Sequence, residues 1–144
     1  MNIATILATK GDKVVTARAE QSIREALGLL AQHNIGALVV VDANRHPIGI
    51  LSERDIVRAA AKNEDIFRLT VSQLMTRNLV LGTSADDLGA AGSTMVERRI
   101  RHLPVMDGGK LVGIVTIGDI VKAQRDHFQG EVDTLQTIVM EQGH

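Results

Sequence analysis

One ten-residue segment occurs twice in this sequence, and the internal repeat restricts how the chain can fold more than any other feature. GILSERDIVR occupies residues 49–58 and returns as GIVTIGDIVK at residues 113–122, with five of the ten positions identical. Around these segments the copies continue in the same order at an offset of 65 residues, because the second copy has one residue fewer in a turn. Such a repeat predicts two copies of one supersecondary unit that pack together.

The first copy predicts a strand, a helix, two strands and a second helix. VVTARA (14–19) is a β-branched run, and Ser22 is then a candidate N-cap. The residues that follow repeat at the spacing of one helix face: Ile23, Ala26, Leu27 and Leu30. ALVVVD (37–42) and IGIL flank the turn ANRHP, and ERDIVRAAAK returns to helical character.

The second copy predicts the same order of elements. NLVLGT is its first strand, and a helix begins at about Asp86 with Leu88, Ala91 and Met95 on one face. LPVMD and LVGIV flank the turn GGK, and a last helix follows. Similar lead-in segments, IATILATK and VSQLMTR, precede the two copies.

The predicted fold class is α+β (mixed α/β), with two β-α-β-β-α repeats packed about a pseudo-twofold axis and a C-terminal helical extension. A unit of roughly 50 residues can hardly bury its sheet alone, which is why the copies are expected to pack face to face. The connecting segment NEDIFRLTVSQLMTRN is too apolar for a flexible tether. The predicted boundaries are 1–64 for the first repeat, 65–124 for the second and 125–144 for the tail.

The tail carries one apolar stripe on an otherwise polar segment, formed by Phe128, Val132, Leu135 and Val139. Two interpretations stay open: the stripe packs on its own domain, or it forms a dimer contact. Gly130 lies within the stripe and weakens a helix by about 1 kcal/mol relative to Ala.

Composition argues against several classes of function. The 144 residues carry a net charge of -1 and contain no Trp or Tyr, which disfavours binding to nucleic acid or to anionic lipid. There is no cysteine, and the histidines lack metal-binding spacing, so neither a disulfide nor a metal site is predicted. Without a signal-peptide pattern or a membrane-length apolar run, a cytoplasmic protein is expected.

The repeated segment lies where a strand ends and a helix begins. Unpaired backbone N–H groups and the helix dipole suit such a junction to an anion. Ser52–Asp55 and Thr116–Asp119 match the spacing of a capping box, and helix capping alone is the simpler interpretation. Capping does not account for Gly49 and Gly113, where a missing side chain leaves space beside the strand. A carboxylate that accepts from two vicinal hydroxyls is also a natural clamp for ribose.

The doubled pattern Gly-hydrophobic-hydrophobic-[Ser/Thr]-x-x-Asp, preceded by IGALVVVD or IRHLPVMD, resembles a tandem pair of cystathionine β-synthase (CBS) domains. The resemblance covers about residues 3–124 and is to the stand-alone bacterial type of this Bateman module. It implies a regulatory protein that binds adenosine-containing ligands in the cleft between its repeats: AMP, ADP, ATP, NAD(H) or S-adenosylmethionine. It also implies signalling through conformational change to an unknown downstream protein, without a catalytic cofactor. A homodimer is expected.

The resemblance implies two nucleotide-binding sites, because in similar proteins the ribose-binding Asp and the adenine contacts come from different copies. Carried over, the first site comprises Ile50, Ser52, Arg54, Asp55, Val80, Arg101 and His102. The second comprises Ile114, Thr116, Asp119, Val15, Gln21, Gly36 and Ala37. Cationic groups gather around the first site, which is expected to hold phosphates. The second suits a less charged adenosyl group or stays empty, and Lys10 is a further candidate for a phosphate contact.

Other interpretations stay beside this one. VERRIRH (96–102) also reads as an ordinary solvated helix end. DGGK is a hairpin turn and lacks the frame of a phosphate-binding loop, and no catalytic motif is visible, so no enzyme activity is predicted. The competing hypothesis is a structural or partner-docking protein with vestigial nucleotide clefts and the tail stripe as its docking surface. An enzyme whose machinery the sequence does not reveal is the third hypothesis.

Overall fold

The computed structural model describes residues 1–11 and 13–142, so the predicted tail is described up to residue 142. Its helices are α1 (Ile3–Lys10), α2 (Ile23–His33), α3 (Glu53–Ala60), α4 (Val71–Leu74), α5 (Leu88–Arg98) and α6 (Ile117–Gln142), with one 3-10 turn at Ile66–Arg68. Its strands are β1 (Thr16–Arg18), β2 (Ala37–Val41), β3 (Pro47–Ser52), β4 (His102–Asp107) and β5 (Lys110–Thr116).

The predicted mixed fold of two related repeats is confirmed. In the first repeat β1 pairs in parallel with β2, and β2 pairs antiparallel with β3. In the second repeat β4 and β5 form the corresponding antiparallel hairpin. The predicted N-cap is also confirmed, because the Ser22 hydroxyl accepts the Glu25 N–H at the start of α2.

The prediction of a strand at NLVLGT is wrong beyond a single bridge between Gly82 and Val105. The Gly82 N–H donates to the Pro104 carbonyl at 2.9 Å, and the Met106 N–H donates to the Gly82 carbonyl at 2.8 Å. Extending this parallel ladder toward Val80 requires an N–H from Pro104, and proline has none. Pro104 therefore limits the second sheet to its two-stranded hairpin.

Each lead-in segment packs in the hydrophobic core of the other repeat, not of the repeat that it precedes. The first core joins α2, β2 and β3 to Val71 and Met75 of the segment that precedes the second repeat. The second core joins α5, β4 and β5 to Ile3 and Ile6 of α1, which precedes the first repeat. The chain therefore crosses between the repeats, and the connecting segment is packed rather than a tether, as the sequence predicts.

Close approach of these lead-in segments explains the repeated glycines. A Cβ on Gly49 would lie 2.7 Å from Met75 Sδ and 3.1 Å from the Thr76 carbonyl oxygen. A Cβ on Gly113 would lie 2.5 Å from Leu7 Cδ2. The space predicted beside each strand is thus filled by protein, and each glycine serves packing between the repeats.

The tail forms the outer part of α6, which continues without a break through Gly130. Its apolar stripe is exposed, from 45% at Val132 to 66% at Val139. The interpretation in which the stripe packs on its own domain is therefore wrong. None of the helices in the described ranges combines the length and the apolar character that crossing a bilayer requires.

We predict opposite stability effects for two Gly→Ala substitutions. Gly49→Ala should lower the free energy of unfolding by about 1–3 kcal/mol, because the new methyl group overpacks against Met75 and the Thr76 backbone. Gly28→Ala lies in α2 with no atom within 4 Å of the added Cβ, and should raise it by roughly 0.5–1 kcal/mol. Urea unfolding followed by circular dichroism measures both, and equal effects would contradict the packing role of Gly49.

Candidate functional site

Each strand-to-helix junction holds a carboxylate inside a capping box. At the first junction Asp55 Oδ2 accepts the Ser52 N–H at 2.9 Å and the Ser52 hydroxyl at 3.0 Å. The Asp55 N–H in turn donates to Ser52 Oγ at 3.3 Å. Thr116 and Asp119 repeat the arrangement, with an N–H to Oδ2 distance of 2.9 Å and an N–H to Oγ1 distance of 3.0 Å. The predicted capping role is confirmed at both junctions.

The junctions meet where the central strands begin. Ala37 lies opposite Ser52 in the first hairpin, and His102 lies opposite Thr116 in the second. The carbonyl oxygen of Gly36 accepts the Glu53 N–H at 2.9 Å. A Cβ on Gly36 would lie 3.4 Å from His102 Nε2, which places the starts of β2 and β4 against each other. Both carboxylate boxes therefore flank one region between the repeats.

A cavity of about 550 Å³ opens at the first junction, within the size range of small-molecule sites. The lining comes from Gly36, from β3 and α3, from the segment after α4 and from residues 98–104. The lining residues are Gly36, Ile50, Ser52, Glu53, Arg54, Asp55, Arg58, Thr76, Asn78, Leu79, Val80, Arg98, Arg99, Ile100, Arg101, His102 and Pro104.

The cavity concentrates positive charge in a chain whose net charge is -1. Its five arginines, at positions 54, 58, 98, 99 and 101, face only two lining carboxylates, Glu53 and Asp55. Among the described residues, no carboxylate lies within 4 Å of any of these guanidinium groups. Guanidinium groups in a cleft favour an anion whose oxygens can accept two hydrogen bonds from one guanidinium, such as phosphate.

His102 lies between the two junctions and is held neutral. Burial lowers its pKa from the usual value, and the positive charges of Lys10 and Arg101 lower it further. Glu53 and Asp119 oppose this shift without reversing it. A neutral imidazole presents one donor and one acceptor to a ligand in the cavity.

The predicted residues of the first site all line this one cavity. Of the second set, Ile114, Thr116 and Asp119 lie at the second junction, where Lys10 Nζ approaches Asp119 Oδ2 at 2.6 Å and the Ile114 carbonyl oxygen at 3.0 Å. Burial opposes ionisation of Asp119, but the hydrogen bonds from Lys10 and Thr116 outweigh it and lower the pKa of Asp119. Lys10 therefore meets a carboxylate, whereas the sequence suggested a phosphate.

The other four residues of the second set lie elsewhere. Gly36 lines the first cavity, because its carbonyl oxygen bonds to the first junction. Ala37 is buried in β2 opposite Ser52. Gln21 bonds to the Arg18 N–H and to Glu25, and Val15 packs against the first core.

Sequence reasoning missed part of the arginine cluster. The resemblance predicts Arg54, Arg101 and His102, but it does not predict Arg58, Arg98 or Arg99, which also line the cavity. Arg99 ends α5 in the left-handed conformation with φ 57°, which turns the chain toward the cavity. Asn34 ends α2 in the same conformation with φ 51°. An arginine where the first repeat has asparagine was the available signal, since non-glycine residues other than Asn and Asp rarely adopt this conformation.

Comparison with known proteins identifies the module. The CBS domain family matches residues 6–62 and 71–126. The chain belongs to the CBS domain family. The CBS domain-containing protein YhcV of Bacillus subtilis is 37% identical over 123 residues, which cover 85% of this chain and 86% of YhcV.

Solved structures support the assignment. The CBS-domain protein ATU1752 of Agrobacterium tumefaciens is 40% identical with a TM-score of 0.83, covering 86% of this chain and 99% of that one. The CBS domain pair of protein MJ0100 is 31% identical with a TM-score of 0.78, covering 91% of this chain and 98% of that one. That structure is a complex with 5′-methylthioadenosine and S-adenosyl-L-methionine, so a related CBS pair binds adenosyl ligands.

We predict that Arg99 lowers the free energy of unfolding and contributes to the binding of anions. Arg99→Asn should raise the free energy of unfolding by about 1 kcal/mol, because Asn tolerates the left-handed conformation better. Arg45→Asn is the matched control, since Arg45 has φ 63° in a turn outside the cavity lining and should give a similar gain.

Only Arg99→Asn should weaken binding of inorganic tripolyphosphate, by about tenfold, since it alone removes a cation from the cavity. Urea unfolding and isothermal titration calorimetry measure the two effects. Equal tripolyphosphate affinity in both variants would show that Arg99 plays no part in holding anions.

Proposed function

We propose that this CBS pair is a regulatory protein that binds an adenine nucleotide in the 550 Å³ cavity, with the phosphates on the arginine cluster. One observation carries the proposal: five arginines, none of them ion-paired with a described residue, share a cavity with the carboxylate of Asp55. A ribose needs an acceptor for its two hydroxyls, and a phosphate chain needs cations. The cavity offers both within one nucleotide's reach.

Apolar residues from several segments suit the adenine ring. Ile50, Leu79, Val80 and Pro104 all line the cavity. Aliphatic side chains against a planar base bury its surface, while backbone groups of Asn78 and Leu79 are proposed to pair with its polar edge. The base is therefore proposed between the repeats, with ribose at Asp55.

Charge selects among adenosine ligands. The lining carries three more formal positive than negative charges, which favours ATP, ADP and NAD(H) over AMP and disfavours the cation S-adenosylmethionine. MJ0100, whose complex contains S-adenosyl-L-methionine, supports adenosyl binding by the family without fixing the ligand of this chain. The proposed order of affinity therefore follows the number of phosphates.

Binding is proposed to act as a signal because the ligand would bridge both repeats. Asp55 lies in the first repeat, whereas Arg98, Arg99 and Arg101 lie in the second. One nucleotide bound to both sets would fix the orientation of one repeat relative to the other. A ligand shifts such an equilibrium only by its difference in affinity for the two arrangements. A downstream protein would read the change, and this role is regulatory rather than catalytic.

The exposed helix α6 supports a second proposal, a homodimer or docked partner. Phe128, Val132, Leu135 and Val139 are spaced by four, three and four residues and are exposed. This is the spacing of a short coiled-coil seam. Docking of a partner through this seam, with vestigial nucleotide clefts, is the alternative function.

A cytoplasmic location stays part of the proposal, and the lack of cysteine supports it.

We predict that Asp55→Asn weakens ATP binding by about 10- to 100-fold, because an amide has no charge and only one acceptor oxygen, whereas Ser52 already donates twice to one oxygen of the carboxylate. Asp86→Asn is the matched control. Asp86 Oδ2 accepts the Thr83 N–H at 2.9 Å in the same Thr-x-x-Asp geometry, but outside the cavity lining. Calorimetry of nucleotide-free protein with AMP, ADP, ATP and S-adenosylmethionine measures the affinities.

Three outcomes separate the hypotheses. Loss of affinity in Asp55→Asn alone supports the nucleotide site. Equal affinity in both variants would mean that Asp55 only caps α3. No binding of any of the four compounds at millimolar concentration would favour the docking alternative instead.

A further inference from the structure

The two junctions differ in what faces their carboxylates. Among the described residues, no cation lies within 4 Å of Asp55, whereas Lys10 Nζ lies 2.6 Å from Asp119 Oδ2. Lys10 ends α1, the helix that crosses to the second repeat. Ile3 and Val71 make equivalent backbone bonds, to Asp86 and Gln21, so the counterpart of Lys10 in the other lead-in segment is Asn78, which carries no charge.

A second contact holds Lys10 in this position. Its ammonium also donates to the Ile114 carbonyl oxygen at 3.0 Å. In the first repeat the corresponding carbonyl, that of Ile50, accepts the backbone N–H of Thr76 at 2.9 Å. At the second junction the ammonium of Lys10 takes the place of that N–H, because Ala8, the counterpart of Thr76, lies within α1. Two acceptors therefore fix one cation.

The surroundings of the second junction also differ in charge. All five arginines of the first cavity are replaced at the corresponding positions of the other repeat, by His33, Asn34, Gly36, Gly118 and Lys122. Lys122 is the single permanent cation among these counterparts. A phosphate chain would thus find few partners beside Asp119, with or without Lys10.

We propose that Lys10 closes the second junction to adenosine ligands and limits each chain to one nucleotide, an inference that rests on the proposed function of the Asp55 cavity. Ribose hydroxyls need the carboxylate as an acceptor, and the ammonium of Lys10 already bonds to Asp119 Oδ2 and neutralises the charge that makes the carboxylate a strong acceptor. Without that ammonium, Asp119 becomes an acceptor in surroundings without arginine. The opened junction then takes an adenosyl ligand that lacks phosphates, for which 5′-methylthioadenosine is a neutral probe.

Calorimetry of the full chain tests this with four proteins: wild type, Lys10→Met, Lys10→Arg and Lys62→Met. Each protein is first saturated with ATP and then titrated with 5′-methylthioadenosine. Wild type should bind one ATP per chain and show no second event. Lys10→Met should gain one site for 5′-methylthioadenosine that wild type does not show, an increase in affinity of at least about tenfold. Lys10→Arg restores a cation and should remain closed, and Lys62→Met controls for loss of charge elsewhere.

Further readouts separate a closed site from a merely structural lysine. The pKa of His102, followed by NMR, should rise in Lys10→Met because Lys10 lowers it in the wild type. Lys10→Gln serves as a second neutral variant if Lys10→Met does not fold. The double variant Lys10→Met with Asp55→Asn should lose ATP but keep 5′-methylthioadenosine at the second junction.

Two results would overturn the proposal while leaving the nucleotide function intact. One is a wild type that binds two nucleotides per chain. The other is a folded Lys10→Met or Lys10→Gln variant that binds ATP but gains no site for 5′-methylthioadenosine. Absence of any ATP binding in the wild type, by contrast, would refute the proposed function itself.

Discussion

The exchange of lead-in helices between the two cores is the contact on which the rest of the structure depends. Neither a three-stranded sheet nor a two-stranded hairpin covers enough apolar surface to stand alone, and each gains a helix from the segment before the other repeat. Gly49 and Gly113 make this possible, because a side chain at either position would displace Met75 or Leu7. The exchange also brings the two strand-to-helix junctions to one shared region between the repeats.

Duplication gives the molecule symmetry in its backbone, and a few substitutions remove that symmetry from its charges. Arg99 and Asn34 end equivalent helices in the same left-handed conformation, but only Arg99 brings a cation to the cavity. Arg101 and His102 stand where the first repeat has Gly36 and Ala37. One junction thus faces an arginine cluster, and the other faces Lys10. The function proposed for the chain follows from this asymmetry.

Local patterns in the sequence predicted the local structure well. The order of elements, the cap at Ser22 and both capping boxes depend on residues three or four positions apart, whose geometry is set within one turn. The prediction of a strand at NLVLGT was wrong because it used the residues of that segment alone. The strand that it would pair with, β4, contains Pro104, which has no backbone N–H to donate. The contact between Lys10 and Asp119 joins residues 109 positions apart, so spacing could not reveal it. The resemblance predicted eight lining residues of the cavity, including Gly36, which it assigned to the other site. It did not predict Arg58, Arg98 or Arg99, and the last two depend on the direction of the chain after α5.

A crystal structure of the full chain with ATP tests the central claim most directly. The account predicts one nucleotide per chain, with both ribose hydroxyls on Asp55, the phosphates among the five arginines, and Lys10 still on Asp119. A nucleotide bound outside the region between the repeats, or one whose ribose lies away from Asp55, would contradict it.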